Sequence, residues 1–245
     1  MEITFKMSAA VLEGGFYRFD SKDDYNHFVR TTKEMECAVR EGDLDRVKRL
    51  CDNGDVVLHK AIDMACEYGH LEIINYFREK GHPLSDHILY FASKKGNLEL
   101  MRFARENGVE WSREGEETYI AASLGFLEIL QYAYENGCRL HSRALSLASR
   151  GGHFDCIKYI VQLRKSVDRY DIASILGNLL ERNQLEQIKE QMDNDVWWNT
   201  FFCKGRIGVL ENGAITYFSF DSYRDVSYYA SKYPEFGEAI RERKN

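Results

Sequence analysis

One phrase of eight or nine residues constrains this chain more than any other feature. Gly69-His70-Leu71-Glu72-Ile73-Ile74-Asn75-Tyr76-Phe77 returns as Gly96-Asn97-Leu98-Glu99-Leu100-Met101-Arg102-Phe103. It returns again as Gly125-Phe126-Leu127-Glu128-Ile129-Leu130-Gln131-Tyr132 and as Gly152-His153-Phe154-Asp155-Cys156-Ile157-Lys158-Tyr159. A weaker copy precedes them, Gly42-Asp43-Leu44-Asp45-Arg46-Val47-Lys48-Arg49, and a decayed one follows, Asn183-Gln184-Leu185-Glu186-Gln187-Ile188-Lys189. From Gly42 the spacings are 27, 27, 29, 27 and 31 residues. Self-similarity at such a period marks a repeat architecture, in which each unit is too small to bury its apolar face alone and must stack on its neighbours.

Within a repeat the pattern predicts two helices. In the second repeat, Lys60 to Tyr68 forms the first, with Ile62, Met64, Ala65 and Cys66 apolar. Leu71 to Lys80 forms the other, with Leu71, Ile74 and Phe77 on one face, because residues three apart share a side of a helix. Small residues at Ala65, Ala92, Ala122 and Ala148 allow the first helices to approach closely. The glycine between the helices permits a tight turn, and Glu72, Glu99, Glu128 and Asp155 fall in the next first turn, where the helix dipole favours negative charge. Gly81 and the Asn-Gly pairs at 53–54, 107–108 and 136–137 read as helix stops. The fifth repeat lacks a closing glycine, and residues 167–192 read as a degenerate sixth repeat.

The pattern [apolar]-x-[apolar]-Ala-[small]-x-x-Gly-[His/Asn/Phe]-[Leu/Phe]-[Glu/Asp], followed by Asn-Gly, resembles ankyrin repeats over about residues 32–192. The Thr-Pro-Leu-His opening is missing, with Lys60-Ala61-Ile62-Asp63 in its place, and the period falls short of the usual 33 residues by about the length of the β-hairpin finger. The shortened style resembles the ankyrin proteins that giant viruses of amoebae encode in large families. The resemblance implies a mainly all-α helical solenoid whose first helices line a concave side and offer a groove to a protein partner.

The two ends lie outside the repeats. Residues 3–12 and 16–19 read as strands around a Glu13-Gly14-Gly15 turn, followed by a helix capped by Asp20 or Ser21 and running to about Thr31. At the far end, 206–210 and 215–220 read as strands around Glu211-Asn212-Gly213. Asp221-Ser222 then caps a helix to about Lys232, and residues 235–243 form a last one. Val11-Leu12-Glu13-Gly14-Gly15 matches Val209-Leu210-Glu211-Asn212-Gly213, and Tyr17-Arg18-Phe19-Asp20-Ser21 matches Phe218-Ser219-Phe220-Asp221-Ser222. The organisation expected is a strand–turn–strand–helix cap over 1–31, six repeats over 32–192 and a similar cap over 193–245. Either the caps cover the exposed core, or their edge strands pair head to tail between molecules.

Composition narrows the function. The net charge of −6 is spread without a basic domain, which argues against nucleic acid. No apolar run approaches membrane-spanning length and the start, Met-Glu-Ile-Thr-Phe-Lys, lacks a signal-peptide pattern, so no membrane association is expected. The six cysteines form no C-x-x-C pair and read as reduced thiols, which predicts an intracellular protein of cytoplasm or nucleus, in the host cell if the chain is viral. No metal or cofactor is expected. His70 and His153 occupy a slot that Asn97 and Phe126 share, so they read as turn residues that bond a neighbouring loop. His82 and His87 straddle Pro83 without a third ligand in view. Asp23-Asp24, Glu116-Glu117 and Asp193-Asp195 read as helix starts and solvated loops. Trp197-Trp198 with Phe201-Phe202 reads as the core joining solenoid to cap. No nucleophile–base pair can be assembled, and the chain reads as no enzyme.

The binding candidates are the variable residues before each turn glycine: Glu67, Tyr68, Lys94, Lys95, Ser123, Leu124 and Arg150, with Gly151 beside the last. The expected function is non-catalytic protein–protein interaction on that face. Its alternative is a structural component that self-associates through the terminal hairpins.

Overall fold

The helices end where the glycines stand. At Gly42, Gly69, Gly96, Gly125 and Gly152 the backbone turns left-handed, with φ between +67° and +79°, and the helix stops. The following residue donates its N–H back to the carbonyl five positions earlier, as from His70 to Ala65, Asn97 to Ala92 and His153 to Ala148, at 2.9–3.0 Å. That bond satisfies a terminal carbonyl which helix geometry leaves unpaired.

The computed structural model describes residues 10–12, 16–18, 21–52, 59–164, 169–181, 184–194, 206–211, 214–219, 228 and 231–242. The chain is mainly helical and divides into two compact units, 1–110 and 111–245. In the first, strands β1 (Ala10–Leu12) and β2 (Phe16–Arg18) pair antiparallel, with Val11 opposite Tyr17. Six helices follow: α1 (Lys22–Glu41), α2 (Leu44–Asp52), α3 (His59–Tyr68), α4 (Leu71–Glu79), α5 (Ile88–Lys95) and α6 (Leu98–Glu106). Here α1, α3 and α5 pack in succession, each against its own partner α2, α4 or α6.

The second unit continues with α7 (Glu116–Leu124), α8 (Leu127–Glu135), α9 (Ala144–Gly151), α10 (Phe154–Leu163), α11 (Arg169–Glu181) and α12 (Leu185–Asn194). Helix α9 packs between α7 and α11. Strands β3 (Arg206–Glu211) and β4 (Ala214–Ser219) pair antiparallel, and helix α13 (Pro234–Glu242) comes last. Glu211 lies opposite Ala214, so two residues join β3 to β4 where three join β1 to β2.

The core follows the repeated positions. Ala38, Ala65, Ala92, Ala121 and Ala148 are fully buried four residues before their glycines. The next position holds Cys66, Ser93, Ala122 and Ser149, also fully buried. Ala121, rather than the expected Ala122, is thus the counterpart of Ala65, because the register counts from Gly125. Ser93 and Ser149 donate their hydroxyls to Leu89 and Leu145 carbonyls at 2.7 Å, so neither buries an unpaired group. Ile74, Phe77, Met101, Leu130 and Ile157 fill the space behind, while Leu71 and Leu127 stay half-exposed. Leu179, Leu180 and Ile188 are buried in the sixth helix pair.

One helix differs from expectation. The sequence places the end of the cap helix near Thr31, yet α1 runs unbroken to Glu41. No glycine or proline interrupts it, and the Thr31 hydroxyl turns inward to its own helix, onto the Phe28 carbonyl at 3.2 Å. The cap itself is as read: Ser21 Oγ accepts the Asp24 N–H at 3.0 Å, with Asp23 and Asp24 in the first turn. The expected stop at Asn53-Gly54, most of the helix after Asp221-Ser222, and the Trp197–Phe202 run lie outside the described residues.

Candidate protein-interaction surface

The residues singled out before each turn glycine lie at the C-terminal ends of α3, α5, α7 and α9. In the first unit Tyr68 is 46% exposed, Lys94 and Lys95 are exposed and Glu67 is half-buried. In the second unit Leu124 is 43% exposed, Arg150 is exposed and Ser123 is half-buried. Lysine and arginine at these helix ends complement the negative pole of the helix dipole.

The structure brings three of the first-unit candidates together. Glu67, Tyr68 and Lys95 border a pocket of about 140 Å³ floored by Cys66 and Leu100. That is the scale of one side chain rather than of a cofactor, for which several hundred Å³ are usual. The Tyr68 ring stacks on His70, with ring centres 6.2 Å apart and planes 17° from parallel. Lys94 Nζ lies 5.5 Å from the centre of the Tyr90 ring, itself 40% exposed.

What fixes this surface is the slot after each glycine. The His70 ring nitrogen Nε2 lies 3.2 Å from the Arg40 carbonyl, and His153 Nε2 lies 3.0 Å from the Ser123 carbonyl. In both, the nitrogen that faces a carbonyl must carry the proton and donate it. Each histidine therefore ties its repeat to the preceding one, as its sequence position suggested. Asn97 sits over Gly69 in the same manner and caps α6 by accepting the Leu100 N–H at 2.9 Å. Gln184, from the decayed phrase, lies over Gly152 in the corresponding slot.

A second set of polar ties joins repeats and was not legible in the phrase. In the first unit the Ser85 hydroxyl donates to the Asp63 carboxylate and accepts the His87 N–H. In the second, buried Thr118 donates to the Gly115 and Arg139 carbonyls and accepts the His141 N–H at 3.0 Å. Glu117 corrects an expectation. It is not solvated but 4% exposed, and its carboxylate accepts the Ser112 N–H at 3.1 Å and the Ser112 hydroxyl at 2.6 Å, with Cys138 Sγ at 3.5 Å. A carboxylate so supplied with donors can be buried without catalytic purpose. Its neighbour Glu116 and the more distant Asp193 are exposed.

The thiols divide by depth. Cys66, Cys138 and Cys156 are buried, while Cys37 and Cys51 are half-buried. Burial, with Asp63 nearby and a partly opposing hydrogen bond from the Ser85 backbone, pushes the Cys66 thiol up to about 12. Burial and the neighbouring Asp155 push Cys156 up to about 12 as well. Thiols held protonated are poor nucleophiles. His82 and His87 meet Phe77 and Phe91 edge-on. Among the described residues no cluster of three metal-ligating side chains occurs, and no helix is long and apolar enough to cross a membrane. No protein-family model matches the chain, and no curated protein matches it in sequence.

Proposed function

We propose that this is an ankyrin-type repeat protein that binds a protein partner through the ends of its first helices and performs no catalysis. One observation carries the reading. The recurring buried positions of successive repeats are small or apolar throughout, whereas the exposed or half-buried pair before each turn glycine differs in every repeat: Glu67-Tyr68, Lys94-Lys95, Ser123-Leu124 and Arg150-Gly151. A framework held constant beneath chemically diverse side chains is what recognition of one particular partner requires, and its rigidity lowers the ordering cost of binding. The test is affinity capture from a cytosolic extract with the native chain and with a Tyr68→Ala, Lys94→Glu, Lys95→Glu, Arg150→Glu variant. The reading expects a partner that the native chain retains and the folded variant loses. Equal retention by both would overturn it.

Self-association through the ends is the second reading. It is favoured by the hairpins, each of which pairs with no third strand among the described residues. Open edges are templates for further pairing. Concentration-dependent sedimentation of the full chain, unaffected by the four substitutions, is what that reading expects.

A further inference from the structure

We infer that the first unit accepts an extended, acidic segment of its partner, laid across the ends of α1, α3 and α5. The inference rests on the interaction reading above and names the partner's chemistry. The chain as a whole carries −6, so a basic strip is not the default. Which charges on this face are already committed decides the matter. From Lys33 to the end of α1, and on α3 and α5, the acids are largely engaged. Glu36 meets Lys60 at 2.7 Å, Glu34 and Glu41 meet Arg46 at 3.5 and 3.2 Å, and Asp63 takes the Ser85 hydroxyl. Arg40, Lys94 and Lys95 are exposed and, among the described residues, form no ion pair. On these stretches of the three helices the uncommitted acid is Glu67, half-buried between them, while the exposed Glu72 and Glu99 stand past the turn glycines in the first turns of α4 and α6.

The geometry sets a spacing. Arg40, Glu67 and Lys94 hold the same place, two residues before the turn glycine, on helices that pack in succession. Packed helices lie about 10 Å apart, so Arg40 and Lys94 stand roughly 20 Å apart. An extended chain advances about 3.3 Å per residue, which puts two carboxylates about six residues apart on the partner. Between them the segment passes Glu67 and Tyr68. The pocket of about 140 Å³ beside Tyr68 is bordered by both Glu67 and Lys95, charges of opposite sign, so a neutral side chain fits it best. The stack of Tyr68 on His70, and the tie of His70 to the Arg40 carbonyl, hold this strip in shape before anything binds.

The test is selection of a random peptide display library on the full chain, followed by binding of synthetic selected peptides by fluorescence anisotropy. The expected peptides are net negative, with acids about six apart around a neutral residue. Their affinity is expected to fall as salt rises from about 0.05 M to about 0.5 M, because exposed charges are screened. Arg40→Glu, Lys94→Glu, Lys95→Glu together should cost on the order of tenfold in affinity, and Glu67→Lys should strengthen binding a few-fold. An unchanged thermal midpoint shows that each variant is folded. Enrichment of neutral or basic peptides, or affinities indifferent to both variants, overturns the acidic-segment inference and leaves the interaction reading standing. A folded chain that enriches no peptide also overturns the acidic-segment inference, and the capture experiment above then decides the interaction reading separately.

Discussion

Two kinds of turn punctuate the chain, and they use glycine differently. Turns inside a repeat, at Gly42, Gly69, Gly125 and Gly152, lie beneath a side chain of the following repeat. A Cβ on Gly125 would sit 2.4 Å from His153 Nδ1, and one on Gly42 would sit 2.8 Å from the His70 ring. Turns between repeats, at Gly81, Gly108 and Gly137, have φ of +83° to +90°, and a Cβ there would meet nothing within 4 Å. Both kinds need the left-handed backbone, but only the first needs the missing side chain. At the first turn the glycine itself lies under the next repeat's side chain; at the second the ties run through neighbouring residues, as from Trp111 Nε1 to the Asn136 carbonyl at 2.9 Å. A single residue type in the sequence hides two separate physical demands.

Two buried thiols flank turns of the first kind, and they make the fold sensitive to alkali. Cys66 stands three residues before Gly69 and Cys156 four after Gly152. Each thiol rises from 9.0 to about 12 on folding. The native state thus holds these protons more firmly than the unfolded chain. The resulting stability is complete below pH 9 and is lost as pH climbs to about 12, roughly 4 kcal/mol for each thiol. Urea midpoints taken from pH 8 to pH 12 should fall steeply, and Cys66→Ala with Cys156→Ala should flatten the fall. A slope indifferent to those substitutions would place both thiols in wetter surroundings.

Gly125→Ala should cost about 3 kcal/mol, combining left-handed strain with displacement of the His153 ring. In the double variant with His153→Ala, chemical denaturation should show about 1–2 kcal/mol of coupling, because removal of the ring vacates the space the new methyl needs. Strictly additive costs would mean that the histidine is not what presses on the glycine. Gly137→Ala should cost only about 1 kcal/mol, the left-handed penalty alone. Equal losses at Gly125 and Gly137 would abolish the distinction between the two turns.

The helices, their glycine stops and their buried alanines were readable because they recur, and recurrence lets each position be checked against several others. The end of α1 was not readable, since Thr31-Thr32 carries no signal strong enough to stop a helix and only tertiary packing decides. The interaction candidates could be placed from their variability before the glycine, and the structure finds them at exposed helix ends. The pocket beside Tyr68 could not be foreseen, because it depends on where Lys95 and Leu100 of the next repeat come to rest. Buried Glu117 was missed for a like reason. Its donors, Ser112 and Cys138, lie 5 and 21 residues away and belong to no motif.

The histidine tie has a consequence for how such a chain can grow. His70 and His153 grip Arg40 and Ser123, residues of the variable position, only by their carbonyl oxygens. A main-chain atom is the same whatever residue owns it. A repeat copied or moved within the gene would find that handle on any neighbour, so the outer residues are free to diversify while the joint between repeats keeps working.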